Sequence, residues 1–387
     1  MIFKSNFFRD INKEKKSLEQ RKQLVDSFPE PADDIDRTAF QYACKFDGAR
    51  KGKMFLFNAA AFVAIPCLLL LYLINRVRCR EKEHHDAVLI SERFLSGMDY
   101  QDKLPPQLVE EFGQIHPLDF TKYPELFRGV LDGKTLKYFL KSVLRRPFQC
   151  FMHLMCLAHM GGLNRILLEY TPVAVLNYVC EFNMASSMLT AVCENHGCEY
   201  ICFQHGDYLT DEGRAFVRYS RLYLWDEHYR DLFNWSRSPE EQYRFYRPKM
   251  YDLNLPELDH EPEYYISYYF SGNDDSAQLI LDVFKKCVAQ GKKCKVRPHP
   301  RYTDIPYIKK VFEPEGIFVE APLEMKLEES VANSQCVAAL CSTVLTQAYY
   351  AGKEVFIDDI SNPAFYEDVK KGMHIMTNKP HRLLSEL

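Results

Sequence analysis

The strongest candidate for binding chemistry in this chain of 387 residues is the pentapeptide Arg297-Pro298-His299-Pro300-Arg301. It follows a short segment, 293–297 (KCKVR), in which we predict a β-strand. The two prolines restrict the backbone on both sides of the histidine, and each arginine can donate two parallel hydrogen bonds to a phosphate. We therefore predict that Arg297, His299 and Arg301 bind a phosphodiester or a diphosphate. The alternative is a proline-rich loop that only ends the strand.

A pair of hydroxyl residues further along the chain is a second candidate anion site. The apolar segment 337–340 predicts a strand, Ser342-Thr343 follows it, and the spacing of apolar residues predicts a helix over 344–350. The start of a helix presents unpaired backbone N–H groups, which favour a bound anion. We predict that Ser342 and Thr343 bind the same phosphate as the pentapeptide. The alternative is that the two residues only cap the helix.

A histidine close to carboxylates is the candidate for proton transfer. His205 and Asp207 come directly after the predicted strand 199–203, and a histidine with a carboxylate nearby can act as a base with an orienting partner. Asp211 and Glu212 are adjacent carboxylates, and each would raise the pKa of the other. The sequence leaves these four residues open as the base. The alternative is that they form polar, hydrogen-bonded turns.

The pattern of strands and helices places these residues at the edge of a sheet. Segment 172–179 predicts a buried strand, 185–194 a helix and 199–203 the next strand, which is the order expected in a parallel sheet. Ligands of such sheets bind beyond the carboxyl ends of the strands. Glu181 and Gln204 follow two of these ends, so we predict that they contribute to binding an acceptor.

The same alternation begins again at 264–270, so the sequence predicts an α/β fold with two Rossmann-like lobes. The first lobe extends over 84–250 and the second over 263–387. A polar helical segment, 1–53, and an apolar segment with its basic flank, 54–83, precede them. Both candidate phosphate motifs fall in the second lobe, which is therefore the predicted site of phosphate binding.

Residues 54–74 are an uncharged apolar segment that is long enough to cross a bilayer as a helix. Pro66, near the middle of the segment, is tolerated in membrane helices. Basic residues flank the segment on both sides, so the distribution of charge gives no orientation. A transmembrane helix, a re-entrant or in-plane helix and a buried core helix all remain open. We predict that the segment associates with a membrane.

Composition disfavours several classes of protein. The net charge of −4 argues against a dedicated nucleic-acid-binding protein. The 13 cysteines lack the spacing of a zinc site, which predicts free thiols in a reducing compartment. The chain has no Walker A loop and no GxGxxG after a strand, which disfavours P-loop and dinucleotide-binding proteins. We predict that no metal ion is required, and Asp358-Asp359 is the one acidic pair that would overturn this.

Together these motifs resemble those of known bacterial enzymes. A strand with a His-Pro loop, followed by a strand, Ser-Thr and a helix, resembles the motifs of bacterial sialyltransferases, polysialyltransferases and CDP-glycerol glycerophosphotransferases. More closely, Gln204-His205-Gly206, 223–229 (YLWDEHY), 297–302 (RPHPRY) and 341–353 (CSTVLTQAYYAGK) resemble bacterial capsule and exopolysaccharide biosynthesis proteins. This resemblance covers residues 85–387 and does not include the apolar segment.

The resemblance implies a metal-independent glycosyltransferase of the GT-B type, whose C-terminal Rossmann-like lobe holds most of the nucleotide donor. It implies that His299, Ser342 and Thr343 contact the donor phosphate and nucleotide. It also implies that the first lobe binds the acceptor. Asp211-Glu212-Gly213 matches, in its letters, the acidic motif that supplies the base in the sialyltransferases.

On this resemblance, the first candidate donor is a CMP-linked sugar such as sialic acid, and the acceptor is a surface polysaccharide or a glycolipid. The reaction needs no cofactor and takes place at the cytoplasmic face of the bacterial inner membrane. Nucleic acid is not an expected partner. Two alternatives remain: a polyol-phosphate transferase of the CDP-glycerol or ribitol type in wall polymer synthesis, and a non-catalytic polysaccharide assembly protein.

Overall fold

The computed structural model describes residues 18–91, 104–119, 125–178, 184–204, 215–232, 235–370 and 372–387. The chain divides into two compact units. The described residues up to Arg247 form unit 1, and unit 2 begins at Pro248. Each unit is built around one parallel sheet of six strands.

Three helices open the described chain and belong to unit 1: α1 (Leu18–Asp26), α2 (Asp34–Lys45) and α3 (Lys51–Arg78). The carboxylate of Asp33 caps α2 by accepting hydrogen bonds from the backbone N–H groups of its first turn. The buried face of α2 contributes Phe40 to an apolar cluster with Phe216. Among the described residues, α3 is the one helix with sufficient length and mean hydropathy to cross a bilayer.

The sheet of unit 1 has the strand order β2-β1-β3-β4-β5-β6, with every pair parallel. Its central strand β3 is buried along its whole length, as expected for a parallel sheet covered on both faces. In chain order the strands are β1 (Ala87–Ser91), β2 (Ile115–Asp119), β3 (Ala174–Tyr178), β4 (Glu199–Phe203), β5 (Arg221–Leu224) and β6 (Tyr243–Phe245). The accompanying helices are α4 (Pro106–Phe112), α5 (Glu125–Arg128), α6 (Gly133–Arg145), α7 (Cys150–Tyr170), α8 (Ser186–Asn195) and α9 (Glu227–Leu232).

The sheet of unit 2 has the order β12-β11-β10-β7-β8-β9, also with every pair parallel. The strands are β7 (Tyr264–Tyr269), β8 (Cys294–Arg297), β9 (Phe318–Val319), β10 (Ser334–Ala339), β11 (Glu354–Ile357) and β12 (Arg382–Leu383). Alternate residues of β10 and β11 face two separate apolar clusters. The helices are α10 (Ala277–Ala289), α11 (Ile305–Phe312), α12 (Leu327–Ala332), α13 (Thr343–Tyr350), α14 (Pro363–Val369) and α15 (His374–Asn378).

The strand orders confirm the predicted α/β class with two Rossmann-like lobes. In each unit the first strands of the chain are added on one side of the first strand, and the later strands are added on its other side. Three strands were not predicted: β2, β6 and β12. β2 contains Pro117, β6 is a three-residue strand whose Arg244 is exposed, and β12 has only two residues. All three lie at sheet edges, where a strand does not need the continuous apolar run that marks a buried one.

An ion pair that joins two helices of unit 1 should make its stability depend on pH. His196, just after α8, donates from Nε2 to the carboxylate of Asp132, the residue that caps α6, over 2.7 Å. The hydrogen bond to Asp132 raises the pKa of His196 above its usual value. The ion pair therefore stabilises unit 1 fully below pH 6.5, the ordinary histidine pKa. This stabilisation is lost as pH rises through the raised pKa of His196.

We expect His196→Gln, which keeps a donor and removes the charge, to lower the melting temperature of the full chain more at pH 6 than at pH 9. The difference should correspond to about 1 kcal/mol. His84→Gln is the matched control, because His84 is exposed and lies beside the exposed Asp86. Equal losses for His196→Gln at both pH values would contradict the charge-assisted pairing.

Candidate functional site

The candidate site lies at the carboxyl edge of the sheet in unit 2. From β7 the chain proceeds to β8 and β9 on one side, and then crosses to β10 on the other. This reversal makes the ends of β7 and β10 a topological switch point, the place where open α/β sheets bind ligands. β8 and β10 both pair with β7, so the loops after them begin about 10 Å apart, at two strand spacings. The two predicted phosphate motifs follow these two strands.

The loop after β8 fixes the orientation of His299. The backbone N–H of Arg301 donates to Nδ1 of the imidazole over 3.1 Å, and the His299 N–H donates to the Thr303 hydroxyl over 3.0 Å. The Tyr302 ring stacks on the imidazole with 4.5 Å between ring centroids. Because Nδ1 accepts a hydrogen bond, the neutral ring carries its proton on Nε2.

The electrostatic surroundings keep His299 neutral. Partial burial, and after it the positive charge of Arg301, lower the pKa of His299 below its ordinary value. A neutral imidazole with a fixed tautomer offers one N–H donor in a defined direction. No partner for Nε2 is found in the described part of the chain, so this donor is open to a bound group.

Arg301 is the cation of the pentapeptide that remains exposed. Its side chain makes no ion pair with any residue that the structure describes. A guanidinium with free donors next to a neutral imidazole suits a phosphate oxygen. His299 and Arg301 together therefore have the chemistry predicted for this loop.

Arg297 is placed differently from the other two. Its guanidinium pairs with the buried carboxylate of Glu320 and donates to the carbonyl oxygens of Pro322 and Met325, over 3.1 and 2.8 Å. The same carboxylate accepts from Nζ of Lys295, over 2.5 Å, and burial lowers the pKa of that lysine. Arg297 thus holds the segment after β9, and its donors are already used within unit 2.

The loops after β7 and β8 are joined to each other. The backbone N–H of Asp304 donates to the carboxylate of Asp274 over 2.6 Å. Gly272 has a φ of +95°, and an added Cβ would lie 3.4 Å from the Tyr302 carbonyl oxygen. Glycine is favoured there because the backbone is left-handed and the neighbouring loop approaches closely. The loop after β7 therefore supports the loop after β8, which carries His299.

Ser342 and Thr343 begin α13 as the sequence predicts. Ser342 is the N-cap, and its hydroxyl oxygen accepts from the Val344 N–H at 3.4 Å, a long hydrogen bond. Capping is therefore what the structure shows for Ser342, and both hydroxyl residues are partly exposed. The long distance leaves the first N–H groups of the helix weakly satisfied, which suits an anion placed above them.

Asp358 and Asp359 are both engaged by protein donors. Oδ1 of Asp358 accepts from the N–H groups of Ile360 and Ser361, and Oδ2 accepts from the Tyr268 hydroxyl at 2.5 Å. Asp359 accepts from the N–H and hydroxyl of Ser385. Each of these two carboxylates stabilises a loop through its hydrogen bonds, and the two do not converge on a shared ligand position. Across the residues that the structure describes, no group of three or more His, Cys, Asp or Glu side chains is arranged to hold a metal ion.

A positioning network that the sequence did not reveal lies beneath the switch point. The Tyr268 hydroxyl donates to Asp358 and accepts from Nδ2 of Asn273 over 2.7 Å. It joins the loop after β7 to the loop after β11, on either side of the strand that leads to Ser342. Asn273 could have been proposed from its place after a strand end, but nothing in the sequence links it to Asp358.

The candidate bases lie outside the described residues: His205, Asp207, Asp211 and Glu212, together with the candidate acceptor residue Glu181. Gln204 is described and almost fully buried. Its side-chain oxygen accepts from the Trp225 N–H at 2.9 Å, and its carbonyl oxygen accepts from the Tyr246 hydroxyl at 3.1 Å. Gln204 therefore joins the ends of β4 and β5, and its role towards an acceptor stays a prediction.

Comparison with known proteins finds weak structural similarity only. No protein-family model and no curated protein sequence matches the chain. UDP-N-acetylglucosamine 2-epimerase from Rickettsia bellii is 11% identical, with a TM-score of 0.43 over 72% of this chain and 79% of that one. The wall teichoic acid polymerase TagF is 12% identical, with a TM-score of 0.41 over 87% and 86%. A glycosyltransferase from Rickettsia africae is 10% identical, with a TM-score of 0.40 over 78% and 84%. The fold assignment rests on the strand order described above.

Proposed function

We propose that this chain is a glycosyltransferase that moves a sugar from a nucleotide donor to a surface polysaccharide or glycolipid. The observation that carries the proposal is the arrangement at the switch point of unit 2. There the fixed Nε2 donor of His299, the exposed Arg301 and the start of α13 at Ser342 belong to loops at one sheet edge. This combination of donors suits a phosphate, and the motif resemblance supplies the nucleotide-linked sugar.

In the proposed reaction an acceptor hydroxyl attacks the anomeric carbon of the donor sugar. The bond between that carbon and the phosphate oxygen breaks, and the nucleotide leaves with the bonding electrons. His299, Arg301, the Ser342 and Thr343 hydroxyls and the backbone N–H groups at the start of α13 stabilise the negative charge that develops on the phosphate. The acceptor proton passes to a base, for which His205, Asp207, Asp211 and Glu212 are the proposed candidates.

Arg297 has a supporting part in this proposal. Its pairing with Glu320 fixes the end of β8, from which the His299 loop departs. On the basis of the motif resemblance, we propose that the enzyme acts at the cytoplasmic face of the bacterial inner membrane, with a CMP-linked sugar as the first candidate donor. A polyol-phosphate transferase is the second candidate, because the same phosphate donors would serve CDP-glycerol, whose diphosphate bond is the one that breaks.

A screen of donors by thermal shift tests this proposal. We expect a CMP-sugar or another nucleotide-sugar to raise the melting temperature of the full chain, and Arg301→Ala to weaken that shift. Lys310→Ala is the matched control, because Lys310 is an exposed cation on α11. Stabilisation by CDP-glycerol alone would favour the polyol-phosphate transferase. A folded chain that binds no nucleotide would contradict both enzymes and favour the assembly protein.

A further inference from the structure

The apolar helix α3 is fastened to unit 1 along most of its length. Near its start, Oδ1 of Asn58 accepts a hydrogen bond from the Phe151 N–H at the start of α7, over 3.0 Å. Near its end, Nδ2 of Asn75 donates to the carbonyl oxygens of Phe127 and Gly129, over 2.9 and 3.0 Å. The polar groups of the helix therefore face the protein at both ends of the apolar segment.

Close packing holds α3 from near its middle to near its end, because Ala61, Leu68 and Tyr72 are buried. The Tyr72 ring lies over Gly129 and Gly161, where an added Cβ would overlap the ring. Gly161 belongs to α7, which packs on α6 and α8 of the α/β unit and carries the ion pair of Arg165 and Glu169. A helix that crosses a bilayer needs lipid or other spanning segments around its middle. α3 instead packs on the α/β unit along one flank.

The opposite flank of α3 is apolar and exposed. Charged residues occur on the helix only in its first and last turns. Phe55 and Val77, near the two ends, are each 73% exposed, so this flank is uncovered over the full length of the helix. Its large exposed side chains are Phe55, Leu56, Phe62, Val63, Leu70, Leu73, Ile74 and Val77.

Exposed apolar residues also occur elsewhere in unit 1. Phe148 is 91% exposed and lies just before the start of α7, where the Phe151 ring stacks on Phe57 of α3 at 5.0 Å. Leu144, one helical turn earlier on α6, is 82% exposed. At the other end of α3, Phe127 of α5 is also exposed. We call this set the apolar face: the exposed flank of α3 with Leu144, Phe148 and Phe127.

Positive charges accompany the apolar face. α6 carries Lys137 and Lys141 beside Leu140 and Leu144. Lys141 is exposed and also pairs with Asp33 over 3.6 Å. α3 begins with Lys51 and Lys53, and its end carries Arg76 and Arg78. An apolar stripe bordered by lysine and arginine is characteristic of helices that lie in the plane of a bilayer and attract anionic lipid.

We propose that unit 1 binds the surface of an anionic bilayer through the apolar face, with α3 lying in the plane of the membrane rather than crossing it. The flank of α3 that packs on α7 stays with the protein, and the exposed flank enters the boundary between head groups and acyl chains. Leu144 and Phe148 enter beside it, while the α6 lysines contact the head groups. Nucleotide binding in unit 2 is a separate property.

Labelling of the two ends of α3 distinguishes the two orientations. The full chain with Lys51→Cys and Arg78→Cys is reconstituted in sealed vesicles, in a background in which Cys67, Cys150 and Cys341 are changed to alanine, together with Cys180, which lies outside the described residues. The label then counts the two new cysteines, because the remaining described thiols are buried. It is then treated with a maleimide polymer that cannot cross the bilayer. An in-plane helix exposes both new cysteines to the same side, so each molecule gains two labels or none. A spanning helix gives one label per molecule, and that result would overturn the proposal.

A second experiment tests the part played by α6. Vesicles of phosphatidylcholine and phosphatidylglycerol are floated with the full chain, with Leu144→Glu/Phe148→Glu, and with the matched control Leu279→Glu/Leu323→Glu on unit 2. We expect the first pair to weaken binding by at least about tenfold and the control to leave it unchanged. Lys137→Glu should weaken binding about fivefold at low salt and less at high salt.

If both pairs of variants bind vesicles equally well, Leu144 and Phe148 do not contribute to membrane binding, and that part of the proposal is wrong. A chain that forms stable dimers and does not bind vesicles would show that a second copy covers the apolar face, and would overturn the whole proposal. Thermal shift with nucleotide confirms that each variant is folded. It also separates this proposal from the proposed function, because loss of vesicle binding leaves the nucleotide shift in place.

Discussion

His299→Ala is expected to lower kcat/KM for group transfer by about 100-fold, the usual cost of removing one hydrogen-bond donor that faces developing negative charge. The imidazole is held by Arg301, Thr303 and Tyr302 so that Nε2 is its open donor. Burial keeps the pKa of His299 below its ordinary value, so the lost group is a neutral N–H and not a charge. Initial rates with the best donor of the thermal-shift screen measure the effect.

Two further variants make this experiment specific. His299→Gln places an amide N–H near the position of Nε2, and we expect it to recover part of the lost activity. His260→Ala removes an exposed histidine of unit 2 that bonds only to a neighbouring carbonyl oxygen, and should leave the rate unchanged. Full activity in His299→Ala would show that the imidazole does not face the donor phosphate.

Glu320→Leu is expected to destabilise unit 2 by about 3–5 kcal/mol, the cost of leaving a buried charge without its partner. Glu320 and Lys295 are each about 1% exposed, and the carboxylate is also paired with Arg297. Its loss leaves Nζ of Lys295 with the backbone and hydroxyl oxygens of Ser330 alone. The double variant Glu320→Leu/Lys295→Met removes the two fully buried charges, and we expect it to recover part of the lost stability. Recovery is partial because Arg297 also loses its carboxylate partner and keeps only the carbonyl oxygens of Pro322 and Met325.

Hydrogen exchange of peptides from β7, β8 and β10 during a urea titration measures this change. Both tryptophans of the chain, Trp225 and Trp235, belong to unit 1, so their fluorescence reports that unit separately. Glu315→Leu is the matched control, because the same change in a half-exposed pair with Lys285 should cost about 1 kcal/mol or less. A double variant that is less stable than Glu320→Leu would contradict the pairing.

The strands that build the candidate site could be predicted because they are buried on both faces. Segments around Tyr264–Tyr269 and Ser334–Ala339 are continuous enough in apolar character to be recognised, and the polar residues after them mark the sheet edge. The edge strands around Pro117 and Arg244 lack this signal, since an edge strand tolerates proline and exposed charge.

The sequence also did not predict which residues pair with the buried charges. Lys295 and Arg297 alternate with Cys294 and Val296 and must share one face of the strand. Two buried cations on one face require a carboxylate, but the sequence does not say that Glu320 supplies it from another strand. Asp358 belongs to the acidic pair that was considered as a possible metal site. Its oxygens instead accept hydrogen bonds from the loop that follows it and from the Tyr268 hydroxyl. Such pairings depend on contacts between distant parts of the chain.

The most direct test of the central claim is a crystal structure of the full chain with bound CMP, the nucleotide that both a CMP-sugar and CDP-glycerol would release. We predict that the phosphate of CMP lies at the carboxyl edge of the unit 2 sheet, with its oxygens within hydrogen-bond distance of His299 Nε2 and of the first N–H groups of α13. A nucleotide bound away from both of these loops, or contacting Arg297 in place of His299 and Arg301, would contradict it.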